Sequence, residues 1–172
     1  MSAPTADRTA PKPDFGAKRR HFIFTDEHEQ LRESIRSFVL KELRPHAEEW
    51  ERDTFPDRVF ARMGELGFLG LSYPEEYGGQ GGDYPSSLVL AEEMTKANCG
   101  GLAMGIAVHT DMATPPILAF GTEEQKQRYL VPAIKGEKIA ALGITEPDAG
   151  SDVAGIKTFA ERVDGGYLVN GS

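Results

Sequence analysis

The sequence predicts an α+β protein, in which a helical-bundle domain is followed by the first strands of a β domain. Apolar residues recur at helical spacing from Thr25 to about residue 136, and segments with strand-like patterns follow that point. Runs of helices followed by runs of strands indicate two units. We therefore expect a helical domain at 21–136 and the beginning of an incomplete β domain at 137–172.

The amino-terminal residues 1–20 differ from the rest of the chain in composition. They contain three prolines, five Lys or Arg residues and almost no large apolar side chain. A secretory signal needs an apolar central region, and the prolines disfavour the amphipathic helix of a mitochondrial leader. We expect this stretch to be a disordered tail.

The first helix is predicted to begin with Thr25 as its N-cap, because a threonine side chain can accept a bond from a free N–H group of the first turn. Pro45 is expected to break or kink this helix. A second short helix is expected at 56–67, with Leu66 facing inward and Gly67 ending it. The first helix carries one apolar stripe, formed by Leu31, Ile35, Phe38, Val39 and Leu43.

Residues 86–97 and 101–119 are each expected to be helical. The second segment is rich in small apolar residues, so its pattern fits both a buried core helix and a helix that lines a ligand. Thr122 and Gln125 make a capping box at the start of a further short helix. Gly136 is expected to close that helix.

After residue 136, three segments are expected to form strands. Residues 138–144 have the apolar composition of a buried strand, and residues 156–163 alternate between apolar and polar side chains. Residues 167–169 begin a third strand after the turn residues 164–166. Three such short strands do not make a complete sheet domain, so we expect the chain to stop within its β domain.

The charge and the cysteine content exclude several classes of protein. The net charge of −8 argues against a general nucleic-acid binder, because phosphate contacts need clustered Lys and Arg. No stretch approaches the ~20 consecutive apolar residues of a membrane span. Cys99 is the only cysteine, so we expect no intrachain disulfide, a structural role for this thiol, and a reducing compartment, the cytoplasm.

The four histidines do not have the spacing of a metal site. His28 is followed by Glu29 but lacks the second histidine of a zinc-binding helix, and the other histidines are far apart in sequence. We therefore expect no bound metal. His109 lies among small apolar residues and is expected to be packed and hydrogen-bonded rather than to act as a catalytic base.

Residues 143–155, GITEPDAGSDVAG, crowd hydroxyl and carboxylate side chains into a turn. A tight turn at 149–151 has backbone N–H groups that, with the Ser151 hydroxyl, could hold an anion. Asp148 and Asp152 would repel a phosphate, so they are expected to point away and to bond backbone N–H groups. The residues alone leave two interpretations open, an ordinary hairpin turn and a cradle for a phosphorylated cofactor.

The same stretch resembles the signature of the acyl-CoA dehydrogenase family. That pattern is a small residue, an aliphatic, Ser or Thr, Glu, two variable residues, a small residue, Gly, Ser or Thr, Asp, two variable residues and a small one, and every fixed position is met. Other segments resemble the family in the expected order: PEEYGGQGG (74–82), AEEM (91–94), GTEEQKQRYLVPAIKGEK (121–138) and VNGS (169–172). The resemblance covers residues 21–172 and implies a helical amino-terminal domain followed by the opening of a β-barrel-like middle domain.

The resemblance implies an FAD enzyme that oxidises the α,β bond of an acyl-CoA thioester. It places the Thr145 hydroxyl at flavin N5, the N–H groups of Ile144 and Thr145 near the pyrimidine edge, and Ser151 near the FAD phosphates and the CoA portion of the substrate. Gly150 is expected to adopt a positive φ or to be approached closely by the diphosphate. The cofactor-binding residues implied are Leu142, Gly143, Ile144, Thr145, Gly150 and Ser151.

The resemblance implies that the catalytic base is a carboxylate beyond Ser172, because no residue of this chain matches it. Glu92, Glu93 and Glu146 are expected to be solvated or structural. The resemblance further implies fatty acid metabolism, an electron-transfer flavoprotein as electron acceptor and a homotetramer. Two alternatives stay open: an acyl-CoA oxidase or flavin monooxygenase relative on the same scaffold, and a non-enzymatic helical module that binds an acyl chain or a partner.

Overall fold

The computed structural model describes residues 21–172, and the tail predicted at 1–20 lies outside this range. A series of helices is followed by one two-stranded antiparallel sheet, which confirms the α+β class. The α-helices are Asp26–Phe38 (α1), Ala47–Arg52 (α2), Arg58–Glu65 (α3), Tyr84–Met94 (α4), Gly100–Ala107 (α5), Pro115–Phe120 (α6), Glu123–Gln125 (α7) and Val131–Ile134 (α8). The strands are Phe159–Val163 (β1) and Gly166–Asn170 (β2), and π-helical turns at Val39–Leu43, Val108–Ala113 and Lys126–Leu130 extend α1, α5 and α7.

The predicted helix start at Thr25 is confirmed. Its hydroxyl accepts from the His28 N–H, and the Thr25 N–H donates to His28 Nδ1 at 3.0 Å. The other ring nitrogen, Nε2, lies 2.8 Å from Asp83 Oδ1. Asp83 is in turn the N-cap of α4, where it accepts from the Ser86 N–H at 3.1 Å. The starts of α1 and α4 are therefore joined through one imidazole.

The core lies between the first five helices and the turns that join them. Leu66, predicted to face inward on the second short helix, is instead 37% exposed. The helix α3 ends at Glu65, and Gly67 turns the chain with a φ of 76°, which leaves Leu66 at the helix end outside the core. Cys99 is buried, as expected of a structural thiol. The large apolar side chains that are fully buried are Ile35, Val39, Met63, Leu69, Val89, Leu102, Ile106 and, outside this core, Leu130.

A buried carboxylate, that of Glu93 on α4, joins α4 to α1. It is fully buried and accepts hydrogen bonds from Arg36 Nε at 2.9 Å, Arg32 Nη1 at 3.1 Å and Lys96 Nζ at 2.5 Å. Burial acts to raise the pKa of Glu93, but the bonds from Arg36, Lys96 and Arg32 outweigh it and hold the pKa below its usual value. The carboxylate is thus an ionised structural group, as predicted for this residue.

A predicted helix start, at Thr122, and a predicted helix end, at Gly136, are confirmed in the last part of the helical region. Thr122 and Gln125 form the capping box, with the Gln125 N–H donating to Thr122 Oγ1 at 3.2 Å. Gly136 ends the last helix with a φ of 74°. A Cβ at Gly136 would lie 2.2 Å from the Phe60 carbonyl oxygen, so the close approach to α3 requires glycine. The division of the chain into domains at this residue stays a prediction.

Two other predicted elements differ from the structure. The segment 101–119 is not one helix: α5 passes into the π-helical turn at Val108–Ala113, and Pro115 starts a new helix because it lacks the N–H group that a continuous helix needs. The buried strand predicted at 138–144 is wrong. These residues are largely exposed and form no ladder within 21–172, because no described strand lies beside them. The hairpin of β1 and β2 around Gly165, with a φ of 80°, is confirmed.

The buried charge of Glu93 makes a stability prediction. Changing Glu93→Gln removes the anion and leaves three cationic side chains facing a neutral amide, so we expect a loss of about 3 kcal/mol in the free energy of unfolding. Glu92→Gln is the matched control, because that neighbouring carboxylate pairs with Arg32 but is 41% exposed, and it should cost at most about 1 kcal/mol. Urea unfolding followed by circular dichroism measures both. Equal losses for the two variants would contradict the proposed role of Glu93.

Candidate functional site

The run 142–145 leads from the last helix towards the predicted site. It has no regular secondary structure and is exposed, with Leu142 and Ile144 each 44% accessible. Among the described residues, no acceptor receives a hydrogen bond from the backbone N–H groups of this run. Gly143 lies in open space, because a Cβ there would meet no atom within 4 Å. The run therefore presents free donors and the exposed Thr145 side chain on the protein surface.

A tight turn closes directly after this run. The Glu146 N–H donates to the Ala149 carbonyl at 2.8 Å, and the Ala149 N–H donates back to the Glu146 carbonyl at 3.2 Å. Pro147 and Asp148 form the tip, so the turn is centred two to three residues earlier than the one predicted at 149–151. Ala149 is buried, and it fixes the end of the turn against the protein.

The carboxylate of Glu146 ties this turn to the start of the sheet. It accepts from the Lys157 N–H at 2.7 Å and from the Thr158 N–H at 2.9 Å. These bonds, from Thr158 foremost and then from Lys157, lower the pKa of Glu146. Asp148 pairs with Lys157 Nζ at 2.7 Å. The structural role predicted for Glu146 is confirmed, whereas Asp148 bonds a side chain rather than the expected backbone N–H.

The segment 150–153 follows the turn and offers a second set of free donors. Within residues 21–172, its backbone N–H groups bond no acceptor, and the Ser151 side chain is exposed without a hydrogen-bond partner. Asp152 Oδ1 accepts from the Ala154 N–H at 3.1 Å, which confirms the prediction that it bonds the backbone. Gly150 does not have the positive φ that was one of its two expected roles. A Cβ at Gly150 would meet no protein atom within 4 Å.

The imidazole of His109 connects the helices to this site. The ring is 1% exposed, and its Nε2 lies 3.1 Å from the Ala133 carbonyl oxygen while its Nδ1 accepts from the Ala140 N–H at 3.0 Å. Burial lowers the pKa of His109, with the Ala133 bond acting against it. The predicted packed and hydrogen-bonded histidine is confirmed. Its link to Ala140 was missed, because nothing in the local sequence indicates a contact between residues so far apart.

An apolar groove of about 300 Å³ lies between α4 and α5. Its walls include Leu90, Met94, Ala103 and Ala107, while Ile106 on the same helix reaches the core. Among the small residues of α5, Ala103 both lines the groove and packs against the core. Within residues 21–172, acidic, histidine and cysteine side chains do not gather into a group of three or more that could hold a metal ion. The helices of the same range are too short or too polar to cross a membrane.

The arrangement of helices, exposed run and turn can be compared with known proteins. The family profile of the acyl-CoA dehydrogenase N-terminal domain matches residues 25–137. The chain belongs to the acyl-CoA dehydrogenase family. It is 42% identical over 152 residues to the probable acyl-CoA dehydrogenase YngJ of Bacillus subtilis (strain 168), a match that covers 88% of this chain and 40% of that relative.

Solved structures of acyl-CoA dehydrogenases have the same fold. The enzyme from Geobacillus kaustophilus is 43% identical with a TM-score of 0.81, over 87% of this chain and 39% of that one. The enzyme from Bacillus anthracis, solved in complex with FAD, is 41% identical with a TM-score of 0.80, over 86% of this chain and 26% of that one. The chain therefore spans well under half of the length of the acyl-CoA dehydrogenases that it matches.

The tie between the turn and the sheet makes a prediction about local opening. In Glu146→Gln the amide can offer only one oxygen, so its NH2 group faces one of the backbone donors of Lys157 and Thr158. We expect several-fold faster amide hydrogen exchange at these two residues, measured by NMR. Glu161→Gln on the exposed strand β1 is the control and should leave both rates unchanged. Slow exchange in the Glu146 variant would show that another contact holds the turn.

Proposed function

We propose that this chain is the first part of an FAD-dependent acyl-CoA dehydrogenase, which removes hydrogen from the α and β carbons of an acyl-CoA thioester. The observation that supports the proposal is that the segment with the family signature exposes two sets of free backbone N–H groups, at 142–145 and at 150–153. The closed turn at 146–149 joins them. Free donors in this arrangement fit a flat heterocycle followed by an anionic diphosphate.

FAD fits the residues at this site. We assign the N–H groups of Ile144 and Thr145 to the pyrimidine edge of the flavin and the Thr145 hydroxyl to N5, with Leu142 and Gly143 completing the run. Gly150 and Ser151 are assigned to the diphosphate, where the absence of a side chain on Gly150 leaves room for close approach. When bound, FAD would accept the hydride that leaves the substrate β carbon.

The acidic residues around the assigned diphosphate have their own partners. Asp148 is paired with Lys157, and Asp152 accepts from the Ala154 N–H. Their charges are thus partly balanced by contacts within the chain, which reduces the repulsion of a phosphate. This supports the cradle over an ordinary hairpin turn, because both carboxylates are engaged while the donors of 150–153 stay free.

The substrate is proposed to meet this chain at two places. Ser151 is assigned to the CoA portion of the thioester, beside the diphosphate. The groove between α4 and α5 has apolar walls, including Leu90, Met94 and Ile106, and suits the acyl chain. Burial of the acyl chain would exclude water from the reacting carbons and hold them in one orientation.

The base that removes the α-proton is assigned to a residue beyond Ser172. Glu93 is buried among three cations, Glu92 pairs with Arg32, and Glu146 holds two backbone N–H groups, so all three carboxylates are engaged. We further propose an electron-transfer flavoprotein as electron acceptor, a homotetrameric enzyme of fatty acid metabolism and a cytoplasmic location.

The assignment of the cofactor is tested by two variants of the complete enzyme that carries this chain. Thr145→Val should keep FAD but cost about 0.5–1.5 kcal/mol at flavin N5, so that flavin reduction slows roughly 2- to 12-fold. Ser151→Ala should instead lower FAD content after purification, with a smaller effect on the reduction rate of the bound fraction. Stopped-flow reduction by acyl-CoA and the flavin absorbance measure both. Unchanged rates and full occupancy in both variants would reject the assignment.

The assignment of the base is tested with residues 1–172 alone. General-base help is typically worth about 10²–10⁴-fold, so this chain with added FAD and acyl-CoA should not bleach the flavin in the absence of oxygen. The complete enzyme is the positive control in the same assay. Substrate-dependent bleaching by residues 1–172 would show that a base lies within them.

A further inference from the structure

His109 lies where the helices give way to the proposed flavin site. It belongs to the π-helical turn Val108–Ala113, and its ring packs edge-on against Phe60 of α3 with centroids 5.2 Å apart. At 1% exposure the ring has no access to water, so both nitrogens need partners within the protein. The two contacts identified above, with Ala133 and Ala140, supply them.

The partners of the ring fix its tautomer. The Ala133 carbonyl can only accept, so Nε2 carries the proton, and the Ala140 N–H can only donate, so Nδ1 must be the acceptor. The two alanines lie on opposite sides of the turn at Gly136, which ends the last helix. One ring therefore bonds the last helix, at Ala133, and the chain that leaves it, at Ala140.

The chain beyond Ala140 has few other constraints before the turn. Residues 141–145 make no backbone hydrogen bond within the described part of the chain, and the next fixed point is Glu146, bonded to Ala149 and to the start of the sheet. The run is therefore held at both ends and free between them. The position of Thr145 depends on the fixed points at Ala140 and Glu146, and His109 provides the one at Ala140.

We propose that His109 is a positioning residue for the flavin site, which holds the run 141–145 against the helices by accepting the Ala140 N–H at Nδ1. The proposal rests on the assignment of this run to FAD. The two ring nitrogens then have different roles. The Nε2 bond to Ala133 satisfies a buried carbonyl, whereas the Nδ1 bond sets the position of the backbone N–H groups that are assigned to the flavin. If His109 only filled space beside Phe60, loss of the Nδ1 bond and loss of the Nε2 bond would have the same effect on the site.

Two variants of the complete enzyme separate the two nitrogens. In His109→Asn the side-chain oxygen can take the place of Nδ1, so the Ala140 bond is kept and the Ala133 bond is lost. In His109→Gln the amide NH2 can reach Ala133, but no acceptor remains at the Nδ1 position. Both variants lose the imidazole ring that packs on Phe60, so a difference between them reports on the two hydrogen bonds.

We expect His109→Gln to speed amide hydrogen exchange at Ala140 by about tenfold and to slow flavin reduction by a similar factor, because the Ala140 N–H loses its acceptor. His109→Asn should stay within about twofold of the wild-type enzyme in both measurements. Should His109→Gln fail to fold, Ala140→Pro removes the same donor without touching the ring, and it should reproduce the slower flavin reduction.

Equal behaviour of the Asn and Gln variants would overturn the proposal, and so would unaltered flavin reduction in His109→Gln in an enzyme that Thr145→Val slows. The exchange measurement does not require bound flavin. If the wild-type enzyme binds no FAD, the proposed function is rejected by that result alone. The positioning of the run is then tested by the exchange rate of the Ala140 amide in the two variants.

Discussion

One buried imidazole, that of His109, bonds the chain that leads into the proposed flavin-binding run to the helical part. His109 accepts the Ala140 N–H and donates to the Ala133 carbonyl in a place that water does not reach. The Ala133 carbonyl would otherwise be buried without a partner, at a cost of about 1–3 kcal/mol, while the Ala140 N–H is half-buried. Since burial lowers the pKa of the ring, the neutral form is favoured, and only that form can accept at Nδ1. The exclusion of water from the helix core around His109 therefore helps to maintain the geometry of the site.

That core is held by apolar packing and by one charge cluster. Glu93 is bonded by three cations, whereas Arg32 Nη2 is buried without an acceptor among residues 21–172. The same guanidinium lies 4.9 Å from the centre of the Phe24 ring, which offers a weaker interaction to the cation. Removing either the Glu93 carboxylate or its cationic partners would leave buried charges without a counter-charge. The cluster therefore fixes how α1 lies on α4.

Local signals predicted the fold well, and non-local contacts account for the errors. The caps at Thr25 and Thr122 and the turn at Gly136 depend on residues within one helical turn, so a short pattern contains the information. The strand predicted at 138–144 failed because a strand exists only when a partner lies beside it, and apolar composition does not supply one. The family signature gave a candidate site in the sequence, but it did not indicate the bond between His109 and Ala140, which joins residues that are 31 apart.

Two carboxylates of this chain, those of Glu93 and Glu146, are suited to hold positions rather than to transfer protons. A general base works best when its pKa lies near the operating pH. Hydrogen bonds from Arg36, Lys96 and Arg32 to Glu93 overcome the effect of burial, and those from Thr158 and Lys157 act on Glu146, so the pKa of each is lowered away from neutrality. Such groups are ionised and hold positions, and they take up a proton poorly. These two carboxylates therefore suit the binding and orientation of a cofactor rather than the proton transfer of the proposed reaction.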